Sequence, residues 1–452
     1  MTIWSPRLPA HGSGPLYRRI AEEIERDMAA GVLVDGSRLP TQRELAERLG
    51  ITVVTVTRSY AEAAARGLVE SSVGRGTFVR ASRRAPRAVE REIDLATNII
   101  AGAALPSLGG MVDRLDSAAA TTYGVGAGSQ RHRAAGAAWM GRALKGASPS
   151  QLIVTAGSQH ALFLACSLAS PGERLLTDQL TYHGVKGIAA LLRLSLQGLA
   201  SDRYGMLPDA LERACRKRGG KLLYLMPTIH NPLGTVMPDK RRRDLAAVAL
   251  RHGLTVIEDD VYGFLVPDPP PALATHAPEQ TLFLTGTGKS VGPALRVGYL
   301  HAAAAFPPRL EAALMATTLF ASSIGAEIAS TWIEDGTALR IAERKRASVA
   351  VRQQIARRIL GGAVGGSAHS PHLWLELPRQ WEGETFAEAA RRAGVRLSHG
   401  GIFAVDPESP PRAVRISIAA AESSEQLDNA LQIVASLLER RSGPAASSTT
   451  VV

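Results

Sequence analysis

Gly286-Thr287-Gly288-Lys289-Ser290, followed by Pro293-Ala294-Leu295-Arg296-Val297-Gly298-Tyr299, is the stretch on which the fold of this chain turns. It sets one lysine seven residues ahead of an arginine, in a turn rich in glycine and proline. The ending Gly-Lys-Ser invites a phosphate-binding P-loop, but that loop needs a glycine five residues before its Gly-Lys pair. Phe283 stands there, so the P-loop reading fails. The other reading is a lysine that forms a Schiff base, beside an arginine that clamps a phosphate. Further motifs, in order and at suitable spacing, support it.

On either side the chain alternates short apolar runs with segments of helix length. Leu152–Thr155, Arg174–Thr177, Leu222–Leu225 and Thr255–Glu258 read as strands of a buried, mainly parallel sheet within an α/β domain spanning residues 93–340. A long arginine-rich helix and strands at His372–Leu377 and Ala413–Ile418 predict a smaller α+β domain at 341–440, with a disordered polar tail at 441–452.

Upstream, residues 14–80 predict three helices and a hairpin. Leu16, Tyr17, Ile20, Ala21, Ile24 and Met28 keep a helical period. Thr41-Gln42-Arg43-Glu44 is a capping box, Gly50 ends that helix, and Thr52 caps the next. Gly74-Arg75-Gly76 forms the tip of the hairpin, and the basic, Pro-containing stretch 81–92 is a linker. This is the layout of a winged helix-turn-helix. Thr52, Thr55 and Arg58 are the candidates for base edges, Arg43 for phosphate, and Arg75 for the minor groove.

At 452 residues the chain calls for two or three domains, and 45% hydrophobic with 21% charged residues is ordinary globular composition. No apolar run is long enough to span a bilayer, and the first residues have no signal-peptide pattern. Two cysteines, Cys166 and Cys215, make no disulfide framework, which fits a cytoplasmic location; Cys166 reads as core. A net charge of +11 favours a polyanion such as DNA, although arginine spread so evenly also fits a merely arginine-rich surface.

Leu39-Pro40-Thr41-Gln42-Arg43-Glu44-Leu45-Ala46 together with Gly74-Arg75-Gly76-Thr77-Phe78-Val79 resembles the GntR family of bacterial regulators. That family often has a basic residue just after the position of Thr52, where this chain has Val53. The remainder resembles fold-type I aminotransferases, and the combination resembles the MocR subfamily of transcription regulators. The resemblance implies pyridoxal 5′-phosphate as cofactor, with Lys289 as its Schiff-base lysine and Arg296 on its phosphate. In Glu258-Asp259-Asp260-Val261-Tyr262, Asp259 would pair with the pyridine nitrogen, Asp260 being the rival, and Tyr262 would bond the ring hydroxyl. Asn231, in His230-Asn231-Pro232-Leu233-Gly234, would share that oxygen. Ser158 and Gln159, at the start of a helix after Thr155-Ala156-Gly157, would meet the phosphate, and Tyr182 would stack on the ring.

Tyr123 would reach the phosphate in a neighbouring subunit, which implies a homodimer, and Arg415 would hold an effector or substrate carboxylate. The resemblance departs at Gly286 and Gly288, where the family has hydroxyl residues; Thr285 or Thr287 would have to replace them. The expectation is a DNA-binding regulator controlled by the cofactor or by an amino compound reacting at Lys289. A working aminotransferase with an accessory head, and a sensor of the cofactor itself, are the alternatives.

Overall fold

The computed structural model describes residues 4–6, 15–29, 32–33, 36–66, 68–72, 76–79, 92–101, 106, 126–218, 221–302 and 308–439. Arg75, Tyr123, nearly all of the linker and the C-terminal tail lie outside the described residues. The chain forms two compact units, residues 1–91 and 92–452.

The first unit contains helices α1 (Leu16–Ala29), α2 (Gln42–Leu49) and α3 (Val53–Ala65), then strands β1 (Val69–Ser72) and β2 (Gly76–Val79). The strands pair antiparallel. Ala21, Ile24, Leu45, Val56, Tyr60, Ala63, Val69 and Val79 bury a common core. The Thr41 hydroxyl accepts from the Glu44 amide while the Glu44 carboxylate accepts from the Thr41 amide, which satisfies two helix-end donors of α2. Gly50 ends α2 in the left-handed conformation (φ 64°), which glycine adopts without a side-chain clash. Thr52 caps α3 through the Thr55 amide.

The second unit opens with β3 (Ile93–Asp94) and is built on a seven-stranded sheet. Its strands are β4 (Leu152–Thr155), β5 (Arg174–Asp178), β6 (Ser195–Leu199), β7 (Leu222–Leu225), β8 (Thr255–Asp259), β9 (Thr281–Gly286) and β10 (Gly298–Ala302). The order is β4-β10-β9-β8-β7-β5-β6. Only β10 runs against its neighbours. Strands β4 and β7 are buried along their whole length, which is why they read as nearly continuous apolar runs. Helix α4 (Ser158–Cys166) follows β4, and its Cys166 is fully buried, as its apolar surroundings predict.

Helix α5 (Thr337–Leu360) leads into a second sheet of β11 (Val364–Gly365), β12 (Leu373–Glu376), β14 (Ser398–His399) and β15 (Ala413–Ile416), ordered β11-β12-β15-β14. Strand β13 (Val395–Arg396) pairs with β3. The expectation assigned residue 93 onward to the large domain, whereas β3 hydrogen-bonds to β13 and Leu95 lies in the core of the smaller sheet. The chain thus enters the second unit through its smaller domain and crosses to the larger one at residues 96–100. Two arginines of α5 turn inward while the others on it are exposed: Arg346 donates to the Phe264 carbonyl, and Arg352 to the carbonyls of Ile418 and Ala421.

Candidate cofactor and effector site

The C-terminal ends of β4 and β8, the turn after β9 and strand β15 converge on one cavity of about 470 Å³. Its walls include Ser158, Gln159, Tyr182, Asn231, Asp259, Tyr262, Lys289, Arg296 and Arg415, whereas the alternatives Asp260, Thr285 and Thr287 do not line it. Such a crevice at the carboxyl ends of strands is where open α/β sheets bind ligands.

Asp259, the last residue of β8, is buried; its Oδ2 accepts from the Tyr224 hydroxyl at 2.9 Å, and its buried Oδ1 has no partner. Burial pushes this carboxyl up to about 7, against the opposing pull of Tyr224, the Val261 amide and Lys289. The rival Asp260 lines a different cavity with Trp139, Phe264 and Phe283, because successive strand residues face opposite sides.

Lys289 donates through Nζ to the Asn98 carbonyl. Burial, and secondarily the Arg415 cation, bring its ammonium down to about 8. A second lysine, Lys345 on α5, donates to the carbonyls of Lys289 (3.0 Å) and Val291 (2.8 Å) and so braces the Lys289 turn from behind.

Asn98 escaped the sequence reading, since it belongs to no recognisable motif. Its Nδ2 lies 2.8 Å from the Tyr262 hydroxyl and 3.1 Å from His372 Nδ1. Burial holds His372 well below the usual histidine range, hence neutral. His372 Nε2 is 3.1 Å from the His230 carbonyl and must carry the ring proton to donate to it. Nδ1 then accepts from Asn98, and the Tyr262 oxygen accepts as well, so the phenol hydrogen is left to donate into the cavity. Asn231 Oδ1 accepts from Arg415 Nη1 at 2.9 Å, which leaves its amide nitrogen to donate too.

Arg415 is buried over the Phe403 ring at 4.8 Å. It also donates to the Ala96 carbonyl at 2.5 Å, while its Nε has no partner. Burial lowers it to about 10.

Helix α4 starts at Ser158 with no side chain capping its first turn. Its N-cap Gly157 sits at φ 90°, and a Cβ there would stand 3.1 Å from Arg296 Nη2. Glycine is therefore what lets the exposed Arg296 guanidinium lie across the helix start, an arrangement suited to a phosphate. Gln159 turns its side chain to the Tyr182 hydroxyl (3.0 Å) and the Gly184 carbonyl (3.4 Å), so the groups it offers an anion are those of its backbone.

Thr285 and Thr287 do not replace the missing hydroxyls. They donate to the carbonyls of Asp260 (2.9 Å) and Val297 (3.2 Å). At Gly286 a Cβ would come within 2.9 Å of the Val297 carbonyl oxygen, whereas at Gly288 it would meet nothing within 4 Å.

In the first unit Arg43 is exposed on α2. Thr52 and Thr55 share a 2.9 Å hydroxyl contact at the start of α3, and the Arg58 guanidinium lies over the Tyr17 ring at 4.5 Å.

Two family models match the chain. Residues 16–79 match "Bacterial regulatory proteins, gntR family", and residues 90–434 match "Aminotransferase class I and II". The chain is 31% identical to YdeF of Bacillus subtilis (strain 168), described as an uncharacterized HTH-type transcriptional regulator, over 96% of this chain and 97% of that one. It is 26% identical to PtsJ of Salmonella typhimurium, a vitamin B6 salvage pathway transcriptional repressor, over 91% and 96%. Among solved structures, an archaeal alanine:glyoxylate aminotransferase superposes with a TM-score of 0.72 at 22% identity, covering 78% of this chain and 92% of that one. A likeness at that identity establishes the fold alone.

Proposed function

The chain belongs to the family of helix-turn-helix transcription regulators that join a gntR head to a class I and II aminotransferase domain, and from that premise we propose a cytoplasmic dimer whose hold on a DNA operator responds to pyridoxal phosphate and to an amino compound bearing a carboxylate. The residues fit the cofactor. Asp259 Oδ1 is a buried acceptor without a partner, suited to a ring N–H. Tyr262 and Asn231 keep two donors for a ring oxygen, and the Gly157–Arg296 cradle suits a phosphate. When bound, the cofactor supplies an aldehyde that condenses with primary amines and a protonated ring that withdraws electrons. Lys289, brought down to about 8, keeps about a tenth of its amine neutral at pH 7, the form that can attack a carbonyl.

The observation that carries the regulatory reading is where the head's connection enters the site. A few residues after the linker, the Ala96 carbonyl accepts from Arg415 and the Asn98 carbonyl from Lys289, while Asn98 Nδ2 holds Tyr262. A carboxylate taken by Arg415 competes with Ala96. A group that engages the Lys289 nitrogen competes with Asn98. Each exchange changes the bonding of the segment that continues covalently into the head, which supplies the differential affinity a switch requires.

The relative named as a vitamin B6 salvage repressor supports the cofactor itself as one signal. The presence of Lys289, Asp259, Tyr262, Asn231, Arg296 and Arg415 around one cavity also supports slow transamination as a second activity.

The test is a footprint of the full-length protein on the DNA flanking its own gene, with and without pyridoxal phosphate and with single amino acids added. Protection that changes with cofactor or amino acid is expected. No protection in any state, combined with sustained multiple-turnover keto-acid formation, would replace the regulator by the enzyme.

A further inference from the structure

Helix α3 buries Val56, Ser59, Tyr60 and Ala63. At ~100° per residue, the position facing directly away from that side is Val54, with Arg58 one turn on. Val54 is 75% exposed and its neighbour Val53 42%. Neither belongs to the apolar core of the head. A β-branched residue brings no gain in helix propensity at an exposed position either.

The hydroxyls around the two valines are engaged locally. The Thr52 hydroxyl caps the helix by accepting from the Thr55 amide and contacts the Thr55 hydroxyl, and the Thr57 hydroxyl lies 2.8 Å from Gln42 Oε1 and 2.9 Å from the Val53 carbonyl oxygen. Arg58 lies over Tyr17. The groups that protrude from the first turn of α3 are therefore valine methyls. Their setting suits a polyanion: Arg43 is exposed on the preceding helix, and the positive end of the α3 dipole lies in the same turn.

Resting on the reading of this unit as a DNA-binding head, we propose that Val54, seconded by Val53, is the specificity-determining contact, and that it packs on the C5-methyl of a thymine in the major groove. That methyl is the one apolar group the major groove offers at a base edge. Thr52 is a positioning residue that fixes the helix end, and the exposed Val53 beside Val54 widens the apolar tip that meets the methyl.

The experiment starts with the full-length protein and a pool of randomised duplex DNA. The enriched site is resynthesised with deoxyuridine at each thymine in turn, and binding is followed by fluorescence anisotropy at one fixed salt concentration. The wild-type protein should lose about four-fold in affinity at one thymine per half-site when its methyl is removed. Val54→Ala, which should fold because alanine favours the helix, should lose a similar factor on thymine DNA and nothing further on the deoxyuridine duplex. Indifference of the wild type at every thymine would overturn the proposal, and so would a Val54→Ala variant still as sensitive to the methyl as the parent. Failure to enrich any sequence at all would overturn the DNA-binding reading itself.

Discussion

Replacing Asp259 by asparagine should stabilise the protein without cofactor while weakening its hold on the cofactor. The side chain is 4% exposed, and burial raises its carboxyl from 3.8 to about 7. That shift of about three units corresponds to ~4 kcal/mol of disfavoured ionisation. The sign follows from proton counting. Below pH ~4 the group is protonated in native and unfolded chain alike and contributes nothing. Between pH ~4 and ~7 the unfolded chain releases the proton while the native one keeps it, so native stability falls as pH rises, then stays level. An asparagine at this position cannot ionise, and its side-chain carbonyl can still accept from Tyr224.

Cofactor-free Asp259→Asn should therefore resist urea better than the parent at pH 8, by up to ~4 kcal/mol, with the gap closing toward pH 4. With pyridoxal phosphate the order should reverse, because the parent carboxylate gains a ring N–H partner and the amide does not. Tryptophan fluorescence across a urea series, at one protein concentration so that assembly contributes equally, reads both effects. A variant weaker than the parent at pH 8, or a gap that is the same at every pH, would refute the assignment of Oδ1 as an unpaired acceptor awaiting the ring.

The remaining outcomes concern neighbouring groups. Lys289→Ala should leave the fold intact and abolish attachment of pyridoxal phosphate that borohydride can fix; a fixed label in that variant would remove Lys289 from the role. Gly288→Ser has open space and should bind the cofactor several-fold tighter, whereas Gly286→Ser must displace the Val297 carbonyl and should cost about 1–3 kcal/mol in unfolding; equal behaviour of the two would contradict the geometry. Asn98→Ala removes the donor that leaves the Tyr262 hydrogen free for the cavity and should weaken cofactor binding, while the backbone carbonyls of residues 96 and 98 keep their bonds to Arg415 and Lys289; an unchanged cofactor affinity would exclude Asn98 as the group that orients Tyr262. Arg43→Ala should weaken operator binding and reduce the salt slope by about one, and an unchanged slope would take Arg43 off the phosphates.

The strands of the larger sheet were legible where they are buried along their length, because Leu152–Thr155 and Leu222–Leu225 show no alternation of apolar and polar residues. The reversed strand Gly298–Ala302 carries no such signal. Its direction depends on the turn containing Arg296, and a buried five-residue strand reads the same either way. The motif residues were nominated from short local spacings, such as Asp259 three residues before Tyr262 and Arg296 seven after Lys289, and they line one cavity. Asn98 was not: its partners Tyr262 and Lys289 lie 164 and 191 positions away, and nothing local marks a residue defined by tertiary bonds. Lys345 was hidden in an arginine-rich helix most of whose arginines are exposed, while Lys345, Arg346 and Arg352 brace carbonyls in the two domains. Thr52 was legible as the cap of its helix, whereas its hydroxyl contact with Thr55 was not.

The size of a regulatory effect follows from the bonds at residues 96–98. Two of them come from cations, Arg415 and Lys289, and a hydrogen bond to a charged group is worth about 1.5–3 kcal/mol. An effector that takes these donors substitutes one bond for another, so the net difference is smaller than either bond. Couplings of about 1–3 kcal/mol, or ~5- to 150-fold in operator affinity, are what such exchanges deliver. Driving an equilibrium from 1:99 to 99:1 takes about 5.5 kcal/mol, beyond what this exchange offers in one subunit. A graded shift in occupancy is therefore the physical expectation for one subunit, and a steep response would require two sites in a dimer acting on one operator.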